Sequence, residues 1–87
     1  MNKLARNANN YLETDWIERL DYASAEVSEN LNIITIVIVS LKFKTVSELS
    51  IDKQGNITTV RYSDNTIGML EHYATAIYRV LEEQDKL

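Results

Sequence analysis

A small α+β domain of order α-β-β-β-α, a three-stranded antiparallel sheet packed with two amphipathic helices, is what this sequence predicts. Three observations lead there. Apolar residues recur at helical spacing toward each end of the chain, the middle is rich in Ile, Val and Thr that alternate with polar residues, and Asp52-Lys53-Gln54-Gly55 interrupts that middle with a hairpin loop. The 87 residues suit a single domain spanning 1–87, with 1–9 and 84–87 as ends that fray.

The first helix is placed at about residues 11–30. Leu12, Trp16, Leu20, Ala23 and Val27 follow one another at steps of three or four and so share a helical stripe. Asn10 with Glu13 resembles a capping pair, with Thr14 a competing cap. Trp16 is the expected core anchor of this helix, because an aromatic ring buries the most area. The preceding residues 1–9 are polar and Asn-rich; they either fray or begin the helix early.

The first strand lies within Leu31 to Lys44. In its second half Val37, Val39, Leu41 and Phe43 oppose Ser40, Lys42 and Lys44. In its first half both faces are apolar, Ile34, Ile36 and Ile38 on one and Ile33 and Val37 on the other, as in strands covered on both sides. A turn near 44–47 leads to a second strand with Leu49 and Ile51 on one face. In the loop that follows, Asp52 suits the first turn position and Gly55 a left-handed one. The third strand runs from Asn56 to Ser63, with Val60 and Tyr62 against Thr59 and Arg61. Ser63, Asp64 and Asn65 offer side-chain oxygens to the open N–H groups of a second helix, about 66–84, whose stripe is Ile67, Leu70, Ala74, Ile77 and Leu81.

Two amphipathic helices compete for a sheet of this size. Both lie on one face, or one lies on each. A third arrangement covers the Ile34, Ile36, Ile38 row with the same row of a second copy, which makes those residues a possible homodimer face; the alternative is that helix 1 or the N-terminal segment covers them within one chain.

Composition excludes several chemistries. Without cysteine there is no disulfide framework, thiolate metal site or thiol nucleophile, and two separated glycines cannot form a phosphate-cradling loop. The single histidine, His72, falls opposite the apolar stripe of helix 2, near Thr75 and Arg79, as a surface residue. Asp52 to Asn56 supplies too few oxygens for a calcium loop. No catalytic residue, metal or cofactor is expected, and the chain is read as a non-enzyme. The N-terminus has no apolar segment of the signal-peptide kind, and the longest apolar stretch is too short to span a membrane, so a soluble, cytoplasmic protein without membrane contact is expected.

Charge position is the most informative functional feature. The formal net charge is -4, and residues 10–30 hold six acids, Glu13, Asp15, Glu18, Asp21, Glu26 and Glu29, against one base, Arg19. On a helix, Asp15, Glu18, Tyr22, Glu26 and Glu29 form a stripe opposite Leu12, Trp16 and Ala23. Its turns are spaced about 5–6 Å apart, close to the phosphates of a nucleic-acid strand, so such a row suits a basic groove. An acidic outer face also serves solubility alone; Tyr22 in its midst favours an interface. Direct nucleic-acid binding is not expected, since Lys42, Lys44 and Arg61 are too few for a basic patch.

A small, acidic, cysteine-free chain in which Ile51-Asp52-Lys53-Gln54-Gly55-Asn56-Ile57 turns from strand to strand and Ser63-Asp64-Asn65-Thr66 leads into a helix resembles phage-encoded anti-CRISPR proteins. The resemblance covers residues 11–81 as an order of elements. It implies a non-enzymatic inhibitor that acts in the host cytoplasm and occupies the DNA-binding groove of a nuclease. The expectation is a protein-binding inhibitor or regulator of a basic, nucleic-acid-handling protein; the alternative is a structural self-association module that dimerises through an apolar sheet face.

Overall fold

A computed structural model describes residues 1–12, 16–40, 45–61 and 67–86. The elements are α1 (Lys3–Asn9), β1 (Tyr22–Val27), β2 (Ile33–Ser40), β3 (Thr45–Asp52), β4 (Ile57–Arg61) and α2 (Ile67–Glu83). The four strands form one antiparallel sheet in the order β1-β2-β3-β4. The class is α+β, as the sequence predicts, with four strands rather than three.

The additional strand comes from the stretch expected to be a helix. The described residues of 11–30 do not form one: α1 ends at Asn9, and β1 occupies Tyr22–Val27. Ala23 and Val27 stand four residues apart, a spacing that keeps two side chains on one face of a helix and equally on one face of a strand. Read with period two, Ala23, Ala25 and Val27 share a face and Tyr22, Ser24 and Glu26 share the other, which is the observed pairing against β2. Trp16 is not a core anchor. It is 65% exposed, and the neighbouring Ile17 takes the buried place with Leu12 and Leu20.

A seven-residue helix is marginal alone. Two carboxamides and a pair of small residues hold α1 in place. The Asn2 Oδ1 caps the helix by accepting from the Ala5 N–H at 3.1 Å, and also accepts from the Ala23 N–H at 3.2 Å, while its Nδ2 donates to the Ala23 carbonyl at 2.6 Å. Asn9 repeats the pattern beyond the helix end: its Oδ1 accepts from the Leu20 N–H at 2.8 Å and its Nδ2 donates to the Leu20 carbonyl at 3.1 Å. Each amide side chain thus replaces a neighbouring strand along residues 20–23. Ala5 and Ala8 are fully buried and allow close approach.

Both helices lie on one side of the sheet. The register sets Ala23, Ile38 and Ser47 in one cross-strand row, Ala25, Ile36, Leu49 and Val60 in the next, and Val27, Ile34, Ile51 and Ile57 in a third. These rows and α2's Leu70, Tyr73, Ala74, Ile77, Val80 and Leu81 form one core with Ala5 and Ala8 of α1. The Ile34, Ile36, Ile38 row is therefore not a dimer face: its exposure is 0%, 0% and 5%, and the chain's own helices cover it.

The Asp52 hairpin forms as expected. The Asp52 carbonyl accepts from the Gly55 N–H, and its Oδ1 accepts from the Gln54 and Asn56 N–H groups. Gly55 has φ +90, and a Cβ there meets the Tyr78 ring at 3.3 Å, so both conformation and space call for glycine. The Tyr78 hydroxyl donates to the Lys53 carbonyl at 3.0 Å and ties the hairpin to α2. In β4, Thr58 is the extra residue of a bulge, and its hydroxyl donates to the Ser50 carbonyl. The expected cap at 63–65 lies outside the described residues; of the turn expected near 44–47, residues 45–47 belong instead to β3, where they pair with β2, and residue 44 lies outside the described residues.

Candidate functional site

The sheet's other face carries no covering element among the described residues. Its side chains follow from the same register. Tyr22, Val39 and Val46 make one row across β1, β2 and β3; Ser24, Val37, Glu48 and Arg61 make the next; Glu26, Thr35, Ser50 and Thr59 a third; Ile33 and Asp52 pair beyond them. The first row is apolar throughout, and Tyr22 and Val46 remain 45% and 53% exposed. At the far end Leu31 is exposed as well. Between the two ends, Leu31, Ile33, Thr35, Ser50, Thr59 and Arg61 help line a depression of about 410 Å³. Among the described residues, Glu26, Glu48 and Asp52 set three carboxylates on this face against one guanidinium, Arg61, which stands opposite Glu48 in the register.

The five residues expected to bind a partner do not form a ladder. Tyr22 and Glu26 share the open face of β1, and Glu29 is exposed in the β1–β2 connection. Glu26 and Glu29 line one further depression of about 510 Å³. Glu18 belongs to the segment between α1 and β1, where its backbone carbonyl accepts a 2.6 Å hydrogen bond from the Tyr73 hydroxyl. Asp15 lies outside the described residues. Carboxylates at helical-turn spacing have no helix to stand on, and the structure corrects that expectation.

Burial of Tyr73, followed by the charge of Glu18, pushes its phenol up to about 12. Tyr11 is also raised, first by its hydrogen bond to the Glu83 carboxylate, while the Arg79 guanidinium lies 5.9 Å from its ring centre. The Asp52 carboxyl is held below its usual range, chiefly by the Asn56 N–H. These are structural contacts of the helix layer and the hairpin; of the three groups only the Asp52 carboxylate belongs to the open side of the sheet, and the hairpin's own N–H groups already engage it.

His72 is exposed on α2, as expected, and its ring stands perpendicular to that of Trp16 with the ring centres 5.7 Å apart. Among the described residues no three His, Asp or Glu side chains group as metal ligands. No described helix is long and apolar enough to cross a membrane.

Sequence reasoning missed Val46 and the first row. The signal was present in the alternation of Val46, Glu48 and Ser50 against Ser47, Leu49 and Ile51. What it lacked was the register that puts Val46 beside Val39 and Tyr22.

No family model, curated protein or solved structure matches this chain.

Proposed function

We infer that the chain is a non-enzymatic protein-binding inhibitor or regulator that docks through the open face of its sheet. The proposed partner is a basic protein, of the nucleic-acid-handling class that the family resemblance implies. The observation that carries this reading is the continuous Tyr22, Val39, Val46 row, apolar across three strands and left in water. Burying such a side chain contributes about 1.5–3 kcal/mol when complete, and these are partly buried already, so the row supplies a modest apolar anchor. Glu26, Glu48 and Asp52 lie on the same face and Glu29 beside it, and together they favour a basic surface around that anchor.

A photo-reactive residue at position 46, used in extract of the cells that make the protein, should cross-link a basic protein. The same residue at position 54, on the hairpin loop, should not. The double variant Tyr22→Ser, Val46→Ser should lose the complex, and what it retains should weaken steeply with salt. Equal cross-linking from both positions, or an unaffected double variant, refutes the reading.

A second reading is self-docking of two open faces. Its specific support is that Arg61 stands on the β4 edge and Glu26 on the β1 edge of one face. A two-fold axis parallel to the strands lays each apolar row on its copy and brings each guanidinium toward the opposite carboxylate. Sedimentation velocity distinguishes the two readings: self-docking requires a dimer that Val46→Lys dissociates, and a monomer at millimolar concentration excludes it.

A further inference from the structure

The free edge of β1 is a second surface, separate from the open face. Antiparallel ladders alternate residues that direct both backbone groups to the neighbouring strand with residues that direct both away. The Asn2 carboxamide bonds both backbone groups of Ala23 from the outer side, and the Ser28 N–H donates to the Ile33 carbonyl on the β2 side. By that alternation Ala25 and Val27 point their N–H and C=O groups outward, and no described group accepts or donates there. They open onto a groove of about 870 Å³ whose floor includes Leu4 and Leu81 and whose rim includes Lys3 and Lys86.

We propose that this edge takes up an extended segment of a partner protein as a fifth strand, with the pattern apolar–basic–apolar. Residues directly opposite Ala25 and Val27 turn their side chains to the same face as those two, toward Leu4 and Leu81. The residue between them, opposite Glu26, turns to the open face and meets that carboxylate. Lys3 and Lys86 repel a cation on the helix side, Glu26 draws it to the other, and the two effects together fix the register. A second copy of β1 is a poor occupant: antiparallel pairing about Ala25 and Val27 sets Glu26 opposite the second copy's Glu26, and like charges in that position oppose pairing.

The test uses the full chain and two capped heptapeptides, Thr-Thr-Val-Lys-Val-Thr-Thr and its Glu-centred counterpart, followed by amide NMR. The Lys peptide should slow exchange at the Ala25 and Val27 amides and bind at least tenfold tighter than the Glu peptide. Glu26→Lys, an exposed change, should reverse that preference. Val27→Pro removes an outward N–H without touching the β1–β2 ladder and should abolish binding. The proposal is overturned if the Lys peptide leaves both amides unprotected at millimolar concentration, if the two peptides bind alike, or if the reversal at Glu26 changes nothing. Because the readout is confined to Ala25 and Val27, failure of the open-face reading leaves this result intact, and the converse holds.

Discussion

Consecutive residues of β2 live in different solvents. Ile34, Ile36 and Ile38 are sealed beneath two helices, while Ile33, Val37 and Val39, of the same chemistry, stand half-covered on the open side. The two faces of β2 differ only by Thr35 and by valine in place of isoleucine, so the strand's own hydrophobicity chooses weakly between them. The choice rests on where α1 and α2 pack, and those are placed by Asn2, Asn9, Tyr73 and Tyr78 through hydrogen bonds to the sheet, to its loop and to the segment leading into it. An apolar strand can therefore serve as core on one side and keep contact surface in reserve on the other.

The contrast breaks most directly at Ile36. Ile36→Ala leaves a cavity in the middle of the helix-facing row and should cost about 3 kcal/mol in urea unfolding. A cost near that of an open-face substitution would mean that the helices do not seal this row. Asn2→Ala removes the α1 cap and both bonds to Ala23 at once; about 2 kcal/mol is expected, with faster amide exchange at Ala5 and Ala23. Unchanged exchange at both amides would contradict the role given to this carboxamide.

Tyr73→Phe should cost about 1 kcal/mol at neutral pH through the lost bond to the Glu18 carbonyl. The pH dependence has a definite sign. The folded phenol stays neutral up to about 12, whereas the unfolded one ionises near its ordinary 10.0. The wild-type advantage is complete below the unfolded value and shrinks as pH rises toward the folded one, so the gap between wild type and Tyr73→Phe should narrow between pH of about 10 and 12. A gap that widens over this range contradicts the burial of the hydroxyl. The smallest effect belongs to Val37→Thr, adjacent to Ile36 but on the open face. It should shift stability by less than about 0.5 kcal/mol, and a loss of several times that would show that something covers the face.

Much of the molecule was legible residue by residue. The Asp52 to Gly55 loop carries its own chemistry, α2 has an unbroken apolar stripe, and Leu49 with Ile51 declares the buried side of β3. The stretch 20–27 was not legible, because Leu20, Ala23 and Val27 satisfy the helical period while Ala23, Ala25 and Val27 satisfy the strand period. The candidate surface inherited that ambiguity: Tyr22 and Glu26 share a face in either reading, but Glu18, at the same spacing, falls before β1 begins. Val46 entered the surface through pairing with Val39, a relation between residues that no window along the chain contains.

Short-range chemistry thus settled the hairpin, the second helix and the alternation within each strand, since these depend on neighbours a few bonds away. Whether residues 22–27 became helix or strand, and which side of β2 was closed to water, was settled by long-range packing. Helix and strand both satisfy the local preferences of 22–27, and the edge of β2 together with the seats for Ala5 and Ala8 in the core selects the strand, while on β2 the polar residues that β1, β3 and β4 set on the open face add to the weak preference of the strand itself.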